Sequence, residues 1–135
     1  MIRCLLDTNI CVELIRGRAP QVFNRLRQYP ADAVALSSVT LAELEYGVAR
    51  SPRPTHHAGL LAQFLAPLMV LSFDHRAAST YGRLRHALEQ SGHPIGPLDT
   101  LIAAHALSLD VTLITNNERE FRRVMGLKVE NWLVE

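Results

Sequence analysis

Five short apolar runs punctuate the chain: "MIRCLLD" at 1–7, "AVALSS" at 33–38, "LMVLSF" at 68–73, "VTLITN" at 111–116 and "LKVENW" at 127–132. Each reads as a strand, and helix-periodic segments separate them. "TNICVELIRG" follows the first, with Gly17 placed to end it. "APQVFNRLRQY" makes a second helix before Pro30. "SVTLAELEYGVARS" follows the second strand, with Ser37 or Ser38 able to cap it. A helix from about His56 to Leu65 precedes the third strand. Asp74 opens a long helix closed by Gly92, and "LDTLIAAHALSL" and a short turn at "NEREFRRV" complete the set. Strands alternating with helices predict an α/β fold with a five-stranded parallel sheet, helices on both faces and strands apolar on both sides. At 135 residues, with no repeat or linker, the chain is expected to be a single domain over residues 1–135.

In parallel sheets ligands bind beyond the carboxyl ends of the strands, where strand order reverses. Asp7 and the "TNN" at 115–117 sit at such ends. Most other acids have ordinary places on polar faces, in turns or at the terminus. The acids left over are Asp7, the pair Glu43 and Glu45 in "LAELEYG", Asp99 in "GPLDTLIAAHA" and Glu120 in "NNEREF". Singly, Asp7 is a helix cap and Asp99 a first-turn acid favoured by the helix dipole, after Pro97 at the first helical position. Helical periodicity leans only slightly towards Glu43 over Glu45, because Gly47 one turn along allows close approach beside Glu43. Gathered at one end of a sheet, however, carboxylates repel, so one must protonate or a cation must sit among them. Oxygen-only ligation suits Mg²⁺ or Mn²⁺ rather than zinc. Such sites handle phosphates by activating water and stabilising the leaving oxygen.

Other chemistries lack their residues. There is no "GxSxG" for a serine nucleophile, no P-loop and no dinucleotide glycine motif. None of the six histidines is placed as a required metal ligand. The formal net charge of +1 gives no global basic field for nucleic acid. Yet Lys128 is the only lysine among fourteen basic residues, and arginine's planar fork matches phosphate. Cys4 and Cys11 show no stapling pattern, which predicts reduced thiols. With no signal peptide and no apolar run approaching the ~20 residues of a membrane span, the protein is expected to be cytoplasmic.

Four stretches, "LLDTNICVELIRG", "SSVTLAELEYG", "HPIGPLDTLIAAHA" and "LITNNEREFRRVMGLKVENW", occur in an order and spacing that resemble PIN-domain proteins, and more narrowly VapC-type toxins. The resemblance runs over essentially the whole chain. It implies a magnesium-dependent endoribonuclease, usually a homodimer, that is inhibited by a VapB-type antitoxin. It matches Asp7, Glu43 and Asp99 to the family's acids, and so selects Glu43 over Glu45. At the position after the fourth strand that is often Asp, this chain has Asn117. An amide oxygen can ligate Mg²⁺ without bringing charge, and Glu120 stands one helical turn on to supply a carboxylate. Thr8, Asn9 and Thr115 are similar to groups that orient carboxylates and waters. "HPIGPLD" and "TNNEREF" most resemble the subgroup that cuts initiator tRNA in the anticodon stem-loop.

The resulting expectation is hydrolysis of structured RNA. Asp7, Asp99 and Glu43 would hold a metal, with Asn117 and Glu120 framing a second site. Arg16, Arg18 and Arg119 would grip phosphates. An antitoxin would cover apolar residues of the first helices such as Val12, Ile15 and Val22. Three rivals stand beside this reading. A phosphatase with an aspartyl nucleophile needs a second Asp where the chain has Asn9, and a receiver domain wants an acidic pair after the first strand. A non-catalytic binding scaffold is the remaining alternative, suggested by Asn117.

Overall fold

A computed structural model describes residues 1–133. The strands are β1 (Cys4–Leu6), β2 (Val34–Ser37), β3 (Met69–Leu71), β4 (Thr112–Ile114) and β5 (Val129–Glu130). The helices are α1 (Thr8–Ile15), α2 (Pro20–Leu26), α3 (Ser38–Ala49), α4 (Pro54–Leu65), α5 (His75–Gln90), α6 (Pro97–Leu109) and α7 (Glu118–Phe121). All strand pairs are parallel, in the order β3-β2-β1-β4-β5. The chain therefore steps outward from β1 to β2 to β3, then returns to lay β4 on the other side of β1. The reversal falls between β1 and β4, the place at which sheets of this kind offer a crevice beyond the carboxyl ends of their strands.

Period-two alternation splits the core into two layers. Cys4, Leu6, Val34, Leu36 and Ile114 pack on one face with Ile10, Val22, Leu44 and Leu61 from α1 to α4. Leu5, Ala35 and Leu113 point to the other face, against Leu84, Leu88, Ile102 and Phe121. Both cysteines are buried free thiols, and burial raises Cys4 to about 11. Among the described residues no helix is long and apolar enough to cross a membrane.

Local signals place the helix ends. Ser37, rather than Ser38, caps α3 by accepting from the Val39 amide at 3.0 Å. Ser38 instead accepts from the Phe73 amide (2.9 Å), tying α3 to the loop after β3. Gly17 and Gly92 follow α1 and α5 with φ of 69° and 75°, a left-handed conformation that glycine adopts without steric cost. α4 begins at Pro54, two residues earlier than periodicity suggested, because proline is pre-set for the first helical position.

Two strands differ from expectation. β3 is an edge strand, and Met69 and Val70 remain 42% and 38% exposed rather than covered on both sides. β5 is only two residues long. Asn131 turns the chain by accepting from the Leu133 amide (2.9 Å), and Trp132 swings into the first core layer to stack on Tyr29.

Candidate active site

Every acid singled out from the sequence, Glu45 excepted, is drawn to the β1/β4 crevice. The ladder continues one residue past β1, because the Asp7 amide donates to the Ile114 carbonyl at 2.8 Å. That bond fixes Asp7 beside the end of β4, where Thr115 follows. Asp7 is 2% exposed and caps α1. Its Oδ1 accepts from the Thr8 amide at 2.8 Å, and its Oδ2 accepts from Thr115 Oγ1 at 2.7 Å. Burial raises Asp7 above the ordinary carboxylate range, against the lowering effect of those two bonds, and the charge of Glu43 adds to the rise.

Thr8 carries the next link. Its hydroxyl donates to Glu43 Oε1 at 2.7 Å and lies 3.2 Å from Thr40 Oγ1. Glu43 is half-buried against α1, whereas Glu45 is exposed on the far side of α3. Glu43, towards which periodicity leaned only slightly, is thus the one of the two that meets α1. The fully buried Thr40 was missed from sequence, although its place three residues before Glu43 on a helix is the spacing that puts two side chains on one face.

Asp99 stands at the third position of α6, half-buried, in the first turn after Pro97. Burial raises its carboxyl to about 6, and the charges of Asp7, Glu120 and Glu43 push the same way. Four elements therefore contribute to one negative field. Asn117 precedes α7; its amide donates to Thr115 Oγ1 at 2.9 Å and its Nδ2 to Glu120 Oε2 at 3.4 Å. Thr115 accordingly connects Asp7 to the Asn117–Glu120 pair, while buried Phe121 anchors the short helix. None of the four acids shares a salt bridge among the described residues. Nor, among those residues, does any group of three or more His, Cys, Asp or Glu close into a ready ligand cage. Thr8 and Thr115 orient Glu43 and Asp7, and Asn117 holds Glu120.

His105, another residue left without a task by sequence reading, is 1% exposed. Its Nδ1 lies 2.8 Å from Ser37 Oγ, and its ring meets Phe73 edge-on. It joins α6, which carries Asp99, to the cap of α3, which carries Glu43.

A groove of about 1180 Å³ runs from Thr8 and Glu43 along α1, α3 and α4. Val12, Ile15, Val39, Val48, Leu60 and Leu61 form its apolar surface, with Arg16 and Arg50 at the walls. Val12 and Ile15 are therefore open to a partner, but Val22 is fully buried on the inner face of α2 and is not. Of the arginines expected to grip phosphate, Arg16 faces this groove, Arg18 pairs with Glu13 at 2.8 Å, and Arg119 is exposed on α7.

The sequence pattern of the PIN domain matches residues 4–127, nearly the whole sheet and its helices. The chain belongs to the PIN-domain family. Within it, this PIN domain is 39% identical over 132 residues to the tRNA(fMet)-specific endonuclease VapC of Shigella flexneri, covering 98% of this chain and 99% of that protein. It is 42% identical over 129 residues to ribonuclease VapC2 of Rickettsia felis, with 95% and 96% coverage. Among solved structures it is similar to DNA-bound VapBC from Salmonella typhimurium, with a TM-score of 0.94, 36% identity, and 98% and 99% coverage.

Proposed function

We propose that this PIN domain is a divalent-metal-dependent endoribonuclease of the VapC type, using Mg²⁺ or Mn²⁺ to hydrolyse a phosphodiester bond in structured RNA. The substrate proposed is initiator tRNA cut in its anticodon stem-loop, following the tRNA(fMet) specificity for which the Shigella flexneri relative is named. A VapB-type antitoxin holds it in check, since relatives of nearly full coverage are found in VapBC complexes. The observation that carries the reading is the gathering of Asp7, Glu43, Asp99 and Glu120 at the β1/β4 switch point, where the Thr8 and Thr115 hydroxyls hold Glu43 and Asp7 in place and burial, with the neighbouring charges behind it, raises Asp99.

The donor set fits a hard cation. It is oxygen-only and acid-rich, with no salt-bridged protein cation to neutralise it among the described residues. Mg²⁺ keeps several of its own waters rather than demanding a full protein cage. Asp7, Asp99 and Glu43 would hold such an ion, with Asn117 and Glu120 beside it. When bound, the metal supplies a more acidic water and stabilises charge on the phosphate oxygens. The chain's own residues do the positioning. The Thr8 amide and Thr115 hydroxyl lock both oxygens of Asp7. The Thr8 hydroxyl fixes one oxygen of Glu43, leaving the other to orient or accept a proton from a water. Incubation of purified protein with RNA and Mg²⁺ tests this. Cleavage abolished by EDTA and by Asp7→Ala is expected; cleavage that survives both overturns the proposal.

One observation favours a binding-only scaffold: Asn117, after the fourth strand, brings an uncharged amide to the site. Calorimetric titration with magnesium separates the two readings, because a scaffold gives no heat that depends on Asp7 and Asp99.

A further inference from the structure

The apolar lining of the groove suits the face of a partner helix, but its rim beside the acids has a different chemistry. Tyr46 lies three residues after Glu43 on α3, so the two side chains project from neighbouring positions on one face. It is 67% exposed, a large aromatic ring in water at the mouth of a charged crevice. Arg50, one helical turn further, sets its guanidinium 5.6 Å from the ring centroid and makes no salt bridge among the described residues. Opposite, Leu98 precedes Asp99 and is 45% exposed on the same groove. Two large side chains thus stand in solvent immediately beside two of the acids. Neither is needed by the core layers.

An exposed ring backed by a guanidinium is the arrangement with which proteins bind unpaired bases. The π-face stacks on any base, and the cation adds to the stack and attracts the backbone. Among the described residues Glu43 is the groove's only acid, while Arg16 and Arg50 make its net charge positive. We propose that Tyr46, supported by Arg50, is a stacking platform for an unpaired nucleobase of the RNA substrate, adjacent to the scissile phosphate. This rests on the ribonuclease reading and adds a positioning subsite to it. The site selects single-stranded or looped RNA, because a paired base cannot present its face to the ring.

Steady-state cleavage of a stem-loop RNA and a fluorescence titration test the proposal. Tyr46→Ala should raise KM about tenfold and leave kcat within about twofold, since it removes binding shared by substrate and transition state. Tyr46→Phe, which keeps the ring, should restore KM. Arg50→Gln should raise KM less and reduce its salt dependence. In an Asp7→Asn background, Tyr46→Trp places an indole at the rim while Trp132 stays buried. A single-stranded hexaribonucleotide should quench it, and the same sequence as a duplex should not. Unchanged KM in Tyr46→Ala with an active parent overturns the inference, as does equal quenching by duplex. Weakened antitoxin inhibition with unchanged RNA kinetics also overturns it, by assigning Tyr46 to the protein interface. If the parent cleaves no RNA, the ribonuclease reading fails, while quenching of the indole introduced by Tyr46→Trp still reports on the platform.

Discussion

Asp7 and Asp74 play the same part in local structure. Each follows a strand, caps the helix that comes next and accepts a backbone amide, from Thr8 at 2.8 Å and from Ala77 at 3.0 Å. Their chemistry is nevertheless opposite. Asp74 is exposed, and its bond from the Ala77 amide holds its carboxyl below the usual range. Asp7 is buried, and loss of water raises it. The difference lies in the sheet. β1 is flanked by β2 and β4, so the residue after it enters a crevice walled by α3, α6 and the end of β4. β3 is an edge, and the residue three positions after its end meets solvent. A strand-end aspartate is a structural cap by default, and topology alone buries one of the two beside other carboxylates.

The largest expected effect breaks that pair apart. Asp7→Ala should reduce RNA cleavage by about a thousandfold, consistent with losing several kcal/mol of transition-state stabilisation. Asp74→Ala should leave kcat/KM unchanged and lower the melting temperature by a few degrees through the lost cap. Comparable losses of activity in both variants would remove the distinction. The same contrast applies within α3, where Glu43→Gln should cost about a hundredfold in kcat and Glu45→Gln less than about twofold. A smaller effect sharpens the role of the threonines. Thr115→Val keeps the shape but removes the donor to buried Asp7, and should reduce activity about 10–100-fold. Leaving that carboxylate oxygen unpartnered should also destabilise the protein by about 1–3 kcal/mol, readable by urea denaturation. Wild-type activity in Thr115→Val would show that Asp7 needs no such orientation.

Sequence made the alternation of strands and helices legible, because short apolar runs and cap residues are local signals. It could not reveal that β3 is an edge. Strand order depends on which elements pair, and "LMVL" is as apolar as the buried "CLL". Asp7 was legible for a related reason, since a carboxylate at the end of an apolar run is conspicuous, whereas Glu43, Asp99 and Glu120 lie on helices and stood out only as acids without an ordinary polar-face place. The choice between Glu43 and Glu45 came from the family resemblance rather than from helical spacing, since the two flank the same helix and packing of α1 against α3 decides which one meets Thr8. His105 was hidden by its context. α6 buries Thr100 and residues from Ile102 to Ala106, so it has no polar face against which an inward histidine would stand out. Glu120 and Asn117 were found as neighbours, but their link through Thr115 needs the turn after β4 to be seen.

The smallest effect separates the two kinds of aspartate by titration rather than by activity. The Asp99 carboxyl belongs to the Asp7 cluster and holds its proton up to about 6, whereas an unfolded aspartate releases it near 3.8. Between those values the folded state binds more protons than the unfolded state, so stability falls as pH rises. The contribution is fully present below the unfolded value and lost on passing about 6. Asp74 behaves in reverse: its lowered carboxyl contributes stability above the unfolded value, which is lost as pH falls. His105, lowered by burial, also favours the folded state as pH rises towards 6.5, so the whole-protein slope mixes opposing groups. Differences between variants isolate them. Asp99→Asn should match wild type near pH ~4 and melt a few degrees higher at pH ~7, while Asp74→Asn should match it at low pH and melt lower at neutral pH. Magnesium at neutral pH should raise the wild-type melting temperature and leave Asp99→Asn nearly unmoved, because binding to the folded state alone is what stabilises it. Parallel melting curves for both variants across this range would mean that the crevice and the edge present the same environment to a carboxylate, and the contrast between Asp7 and Asp74 would lose its physical basis.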